Sequence, residues 1–429
     1  MNISRPLASA ALILAGAAPC RAAAAPKDAA GYVQSGFDKH IKGDQAGAVS
    51  DLNRALALDP ANVEAYYDRG NTKVSQNDFS GAVADYTKAL SLYPAGKELE
   101  HPRLKNLYMS RAQAKNLTRD YDGAAADYAK VLELDPKDVR AYYQLADLQA
   151  LKRDYAAAIR SYTKAIDLEP SNASSYSGRG IVEDANGDHD RALADFDRAL
   201  ELDPNNANAH MTRADLRANK GDKDGALADF DKAVTLDPAN ALDFVYRGRA
   251  KASFGDYDGA LADYAKALTL EPKTALAYAY RATERYDHQD WKNSLADYRK
   301  ICELTPDHQT YARLRAWLIR ARTGERAQAD EELNAYLATA AADPLNEIGQ
   351  YLVGKTAEDA LLKAVPAGDD EPSRSRQAVV YFFAGSKRLI DGDKKGAQEL
   401  FAKATATGRK GKQSYRSAAA EAARLNPAQ

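Results

Sequence analysis

Apolar positions in this chain fall into pairs of short helical stripes, and the pairs recur every 34 residues. Prolines mark the step: Pro60 and Pro94 are 34 apart, and Pro136, Pro170, Pro204, Pro238, Pro272 and Pro306 follow at the same interval after one longer gap. With each proline at position 32, repeats begin at Ala29, Val63, Lys105, Val139, Ala173, Ala207, Ala241 and Ala275. Position 4 is aromatic except at His210, position 8 is Gly or Ala, and position 20 is Ala or Ser294. Position 24 is Leu52 and then only Tyr or Phe. Position 27 is Ala apart from Val131 and Ile301. Small residues at 8, 20 and 27 let two helix backbones approach, and the aromatics at 4 and 24 fill the flanking space. Gly, Asn or Asp near position 15 marks a turn. The Leu-Asp-Pro or Leu-Glu-Pro ending stops the second helix, because a residue before proline is pushed out of the helical region. The pattern predicts two antiparallel helices per repeat. Each pair can cover its apolar face only with its neighbours.

The stretch from Tyr246-Arg247-Gly248 through Gly255-Asp256-Tyr257 and Ala260-Leu261-Ala262-Asp263-Tyr264 to Leu270-Glu271-Pro272 resembles the tetratricopeptide-repeat (TPR) consensus. The resemblance runs from about residue 29 to 308. It implies an all-α fold, an α-solenoid with a right-handed superhelix in which the first helix of each repeat lines a concave groove. It also implies a non-catalytic scaffold that binds a protein or peptide segment.

Outside that block the pattern changes. Residues 97–104 are an insertion expected to lengthen a loop or the next helix. Residues 309–377 read as irregular helix and loop. A diverged repeat follows in 378–429, with Tyr381, Gly385, Gly392, Ala397, Phe401 and Ala404 at the expected spacings and a helix over 413–425 capping the array. This C-terminal module is the expected place for homodimer contacts. At the other end, Arg5 precedes the apolar run 7–15, and small residues follow at Ala22, Ala23 and Ala24. That order is a secretory signal peptide with cleavage after Ala24, which predicts a periplasmic or secreted protein of the bacterial envelope. Pro19 before Cys20 departs from a lipobox. With Cys20 removed, Cys302 is the only thiol, so packing rather than a disulfide must hold the fold.

Charge and chemistry narrow the function. The chain carries 59 basic and 61 acidic residues with no basic stripe, which argues against nucleic acid. No apolar run after the signal segment is long enough to span a membrane. The six histidines do not cluster, no metal spacing occurs, and no cofactor is expected. His210 stands at an aromatic core position. Gly349-Gln350-Tyr351-Leu352-Val353-Gly354-Lys355-Thr356 matches a phosphate-loop pattern and is the basis of an alternative, nucleotide-binding reading. The strand that such a loop must follow is missing from the sequence around it.

Two further sets of residues stand out. Position 7 carries Arg69, Arg111, Arg179, Arg213, Arg247 and Arg281, and position 23 of the same repeats carries Asp85, Asp127, Asp195, Asp229, Asp263 and Asp297. In repeat four both vanish together, as Leu145 and Ser161. The co-occurrence predicts an Arg–Asp bond between the two helices of one repeat. The family geometry implies that positions 2, 5, 9 and 12 face the groove. Tyr67, Asn71, Asn106, Met109, Arg140 and Tyr143 are the expected partner contacts, since aromatics, Met and Arg favour interfaces.

Overall fold

The computed structural model describes residues 28–93, 102–408 and 413–426. The expected signal segment 1–24, Pro94 and residues 97–101 of the insertion lie outside the described residues. Among the described residues there are 23 α-helices and no strand. They form two compact bodies, divided after Pro170.

The N-terminal body is four antiparallel pairs: α1 (Ala29–Ile41) with α2 (Gln45–Leu58), α3 (Val63–Ser75) with α4 (Phe79–Ser91), α5 (Pro102–Leu117) with α6 (Tyr121–Leu134), and α7 (Val139–Leu151) with α8 (Tyr155–Leu168). Residues 102–104 open α5, making it 16 residues long where α1, α3 and α7 have 13. The second helix of each pair starts on an aspartate: Asp44, Asp78, Asp120 and Asp154 each accept the N–H three residues on. That satisfies one of the amides every helix start leaves unbonded. Position 15 turns the chain in the left-handed region. Gly43 does so without strain at φ 84°, whereas Asn77, Arg119 and Arg153 reach it with a side chain present. The core follows the small-large code. Ala48, Ala82, Ala124 and Ala158 are fully buried beside Leu52, Tyr86, Tyr128 and Tyr162. At Gly70 an added Cβ would stand 2.5 Å from the Tyr86 ring, so the aromatic lies directly on the facing backbone.

The C-terminal body repeats the scheme in α9 (Ala173–Ala185) with α10 (His189–Leu202), α11 (Ala207–Lys220) with α12 (Lys223–Leu236), α13 (Ala241–Ser253) with α14 (Tyr257–Leu270), and α15 (Ala275–Asp287) with α16 (Trp291–Leu304). A 3-10 turn at Pro306–His308 leads to α17 (Thr310–Arg322) and α18 (Arg326–Leu337), which pack as a further pair in the segment expected to be irregular. The short helices α19 (Asn346–Leu352) and α20 (Glu358–Lys363) follow. Then come α21 (Glu371–Ile390) with α22 (Lys394–Ala406), and finally α23 (Gln413–Leu425). The largest cluster of buried apolar side chains is here, built around Tyr286, Trp317, Phe382, Phe383 and Phe401. Helix α23 does more than close the end. It packs on α22 and α21 and also returns to α15. No helix among the described residues is long and apolar enough to cross a membrane.

Candidate functional site

The position 7 arginines and position 23 aspartates meet within their own repeats. In all six, Nε and Nη2 of the arginine donate to the two carboxylate oxygens of the aspartate, at 2.5–3.0 Å. The six aspartates are 2–6% exposed. A second cation, at position 11, reaches the same carboxylate: Lys73, Lys115, Arg217, Lys251 and Arg285 lie 2.7–2.9 Å away. Two charge-assisted bonds in a planar fork fix the angle between the helices of a pair. In five of the six the guanidinium also lies over the position 4 ring, 5.3 Å from its centroid at Arg69 over Tyr66. These charges are spent inside the scaffold and are not presented to a partner. Repeat four replaces the set with a neutral bond from Ser161 Oγ to Gln149 at 2.8 Å. Repeat five keeps Arg179–Asp195 but has Glu183 at position 11. Burial holds that carboxyl above its usual range, with Asp195 adding repulsion. His210 is buried, with one ring nitrogen 2.9 Å from Asp229 and the other 3.1 Å from the Pro204 carbonyl.

The face made by the first helices of the N-terminal body is different, because several of its polar groups have no charged partner among the described residues. On α3, Tyr67 and Asn71 sit one turn apart. The Tyr86 hydroxyl, from α4, donates to Asn71 Oδ1 at 2.7 Å, and the Tyr67 and Tyr86 rings lie 5.9 Å apart. On α7 the same three positions are Tyr143, Asp147 and Tyr162. The Tyr162 hydroxyl donates to the Asp147 carboxylate, and the two rings meet edge-on at 5.6 Å. Burial pushes Asp147 up to about 6, with the Tyr162 hydroxyl pulling against it. Burial also pushes Asp68, beside Tyr67, up to about 6, with Glu64 adding to the shift and Arg103 opposing it. Tyr143 is raised to about 12 by burial and by Asp147. Asn106 and Arg140 are exposed, and Tyr67, Asn71 and Tyr143 are half-buried.

Met109 does not belong with them. It is 8% exposed and packs with Ala112, Tyr128, Val131 and Ala141, so it belongs to the core and offers a partner no surface. Position 5 lies at the seam between neighbouring first helices, where a flexible thioether folds inward and a tyrosine keeps its hydroxyl at the rim. Sequence reasoning also missed Asp68, and it took the position 24 tyrosines as core alone. Their recurrence opposite a polar position 9 (Asn71, Asp147, Thr283) was the available signal.

In the C-terminal body the corresponding face of α15 is covered by α23. Ser417 Oγ donates to Asp287 at 2.6 Å, Arg416 pairs with Glu284, and Arg424 reaches the Asp287 carbonyl. From α17, Arg315 Nη2 donates to Ser417 at 3.0 Å and Arg322 pairs with Glu421. Arg315 is fully buried, its guanidinium 3.9 Å from the centroid of the Tyr286 ring. Burial raises Asp287 to about 6, with Arg315 opposing.

The phosphate-loop match is corrected by its backbone. Gly349 lies inside α19, its N–H bonded to Leu345 O, and the amides of Gly354, Lys355 and Thr356 are bonded to Tyr351 O and Gln350 O. A phosphate cradle needs those N–H groups free and a strand leading in. Tyr351 is buried and donates to Glu358 at 2.8 Å. Cys302 is half-buried, and burial raises its thiol, which disfavours the reactive thiolate. Among the described residues no group of His, Cys, Asp or Glu could hold a metal ion.

Comparison with known proteins agrees with this geometry. Models described as tetratricopeptide repeats match residues 118–173, 178–241 and 247–309. Others, described as a TPR repeat and a tetratricopeptide repeat, match 38–76 and 63–95. Similar solved structures include a tetratricopeptide repeat protein from Parabacteroides merdae, 23% identical over 59% of this chain and 97% of that one, with a TM-score of 0.48. The C-terminal part of a TPR repeat-containing protein from Cytophaga hutchinsonii is 18% identical over 57% of this chain and 97% of its own, also at 0.48. YrrB, a TPR protein with an unusual peptide-binding site, is 23% identical over 54% of this chain and 97% of its own, at 0.32. No curated protein sequence matches the chain.

Proposed function

Starting from the membership of this chain in the tetratricopeptide-repeat family, we propose that it is a non-catalytic interaction scaffold of the bacterial envelope. Its binding surface is the first-helix face of the N-terminal body, which captures a peptide or protein segment. The observation that carries this reading is the contrast between α15 and the first helices of the N-terminal body. The α15 face is already occupied by α23, whereas Tyr67, Asn71, Tyr143 and Asp147 stand half-buried with hydrogen-bonding capacity left over. A preformed face of aromatic rings and polar groups binds with little ordering cost. The C-terminal module is the weaker choice for partner contacts. The exposed large apolar side chains among the described residues end at Leu276, before α17 begins.

The purified chain should capture a subset of a mixed-composition peptide array, and the double variant Tyr67→Ala/Tyr143→Ala should lose that subset while its melting temperature holds. Unchanged capture by the variant would overturn the assignment. Export rests on residues 1–24. Mature protein from the envelope fraction should begin at Ala25 on N-terminal sequencing. A chain recovered with Met1 intact would remove the envelope from the proposal.

A further inference from the structure

The charges on the N-terminal body's open face are not balanced, and the imbalance says something about the partner. Most ionic groups of the first helices there are already bonded. Arg69 and Lys73 sit on Asp85, Arg111 and Lys115 on Asp127, Lys105 on Asp135 and Asp138, and Arg103 on Glu64. Among the charged side chains of α3, α5 and α7, only Asp68, Asp147 and the exposed Arg140 have no ion pair among the described residues. The Asp147 carboxylate has one bond, from the Tyr162 hydroxyl, and neither carboxylate has a cation within salt-bridge distance among the described residues. Both are partly removed from water, which is costly for an anion that has nothing to pair with. The half-buried Tyr143 ring meets the buried Tyr162 ring edge-on, so aromatic side chains flank the Asp147 carboxylate. A carboxylate flanked by tyrosine is an environment that attracts an ammonium or guanidinium group.

Resting on the peptide-binding reading above, we propose that the partner segment is basic, with one lysine or arginine side chain reaching Asp147 beside Tyr143 and a second reaching Asp68 beside Tyr67. The two points lie on α7 and α3, two first-helix steps apart. At about 10 Å per step this is roughly 20 Å, the reach of about six extended residues. A cation gives Asp147 its first ionic partner and gives Asp68 a direct bond where Arg103 acts only at a distance, and a neutral or acidic segment supplies neither. Arg140 is an exposed cation without an ion pair among the described residues, on the same face, one turn before Tyr143 and Gln144 on α7. It opposes a basic ligand at long range and so provides an independent control.

Fluorescence anisotropy with labelled hexa-lysine, hexa-glutamine and hexa-glutamate on the full chain tests this. Hexa-lysine should bind, and the other two should not. Asp147→Asn and Asp68→Asn should each weaken hexa-lysine by about five- to tenfold. Arg140→Gln should tighten it. Asp167→Asn, an equal charge change on the exposed side of α8, should leave it unchanged. The asparagine variants remove half-buried charges, so folding is not at risk, and a thermal melt verifies it. Equal losses in Asp167→Asn, or binding of hexa-glutamate, would overturn the proposal. If array peptides bind through Tyr67 and Tyr143 but are indifferent to Asp147→Asn, the basic partner fails and the groove stands. If no array peptide binds at all, the groove itself fails.

Discussion

Asp243→Ala should stabilise the protein, by an amount that depends on pH. Asp243 is at position 3 of its repeat, where Ala65, Ala141, Ala209 and Ala277 are 0–1% exposed, and it is itself only 6% exposed. Burial pushes its carboxyl up to about 7, with Asp237 adding repulsion. A carboxyl raised from 3.8 to about 7 costs up to about 4 kcal/mol once ionised, at about 1.4 kcal/mol per unit. Its place in the first turn of α13 returns about 0.5 kcal/mol through the helix dipole. Because the folded-state value is raised, the native chain holds the proton more tightly than the unfolded chain. Stability from this group is therefore full below pH 4 and drains away as pH rises toward 7. Alanine removes the loss and matches the residue four other repeats use. The variant should gain about 3 kcal/mol at pH 8 and about 1 kcal/mol at pH 5. Urea unfolding of both chains at the two pH values, followed by circular dichroism, measures the difference. Equal gains at both pH values, or destabilisation at pH 8, would refute the reasoning. Either would mean that the carboxylate finds solvent or a cation in solution.

Two other substitutions probe the ion pairs. Arg247→Leu leaves Asp263, 4% exposed, with only Lys251, and should cost about 3 kcal/mol in urea unfolding. Adding Asp263→Ser, which recreates the Leu145 and Ser161 combination of repeat four, should recover most of it. Glu183→Lys places a cation where other repeats have one and removes a carboxyl held up by burial and Asp195. It should raise the urea midpoint by an amount that grows from pH 5 to pH 8, and a fall would show that Glu183 is satisfied as it is.

The repeat was legible because each spacing encodes a contact inside one pair or between neighbours. Tyr86 over Gly70 and Arg69 on Asp85 are both local bargains between helices joined by a short turn. Met109 was not legible, since position 5 sits on the boundary between core and face and side-chain size decides its direction. Val33 and Val245 are buried at that position too, while Tyr67 and Tyr143 stay at the rim. Asp68 escaped because it sits outside the positions assigned to the groove, and its isolation from cations is a property of three dimensions. The match at 349–356 misled for the opposite reason. It is a pattern of residue types whose meaning depends on a strand, and α19 has already bonded the amides that the pattern requires free.

Helix α23 changes how the C-terminal body must be made. Its bonds to Asp287 span 130 and 137 residues, whereas the bonds from Arg69 to Asp85 span 16. The N-terminal body can assemble progressively on a growing chain, each pair docking as it is completed. The C-terminal body is a closed circuit. Arg315 and Asp287 meet their final partners only when the last helix has been synthesised. Non-local closure slows folding and leaves the face of α15 uncovered until α23 has been synthesised. A chain cut short before residue 413 therefore exposes buried charge at once, which marks it as incomplete to any protease that samples it.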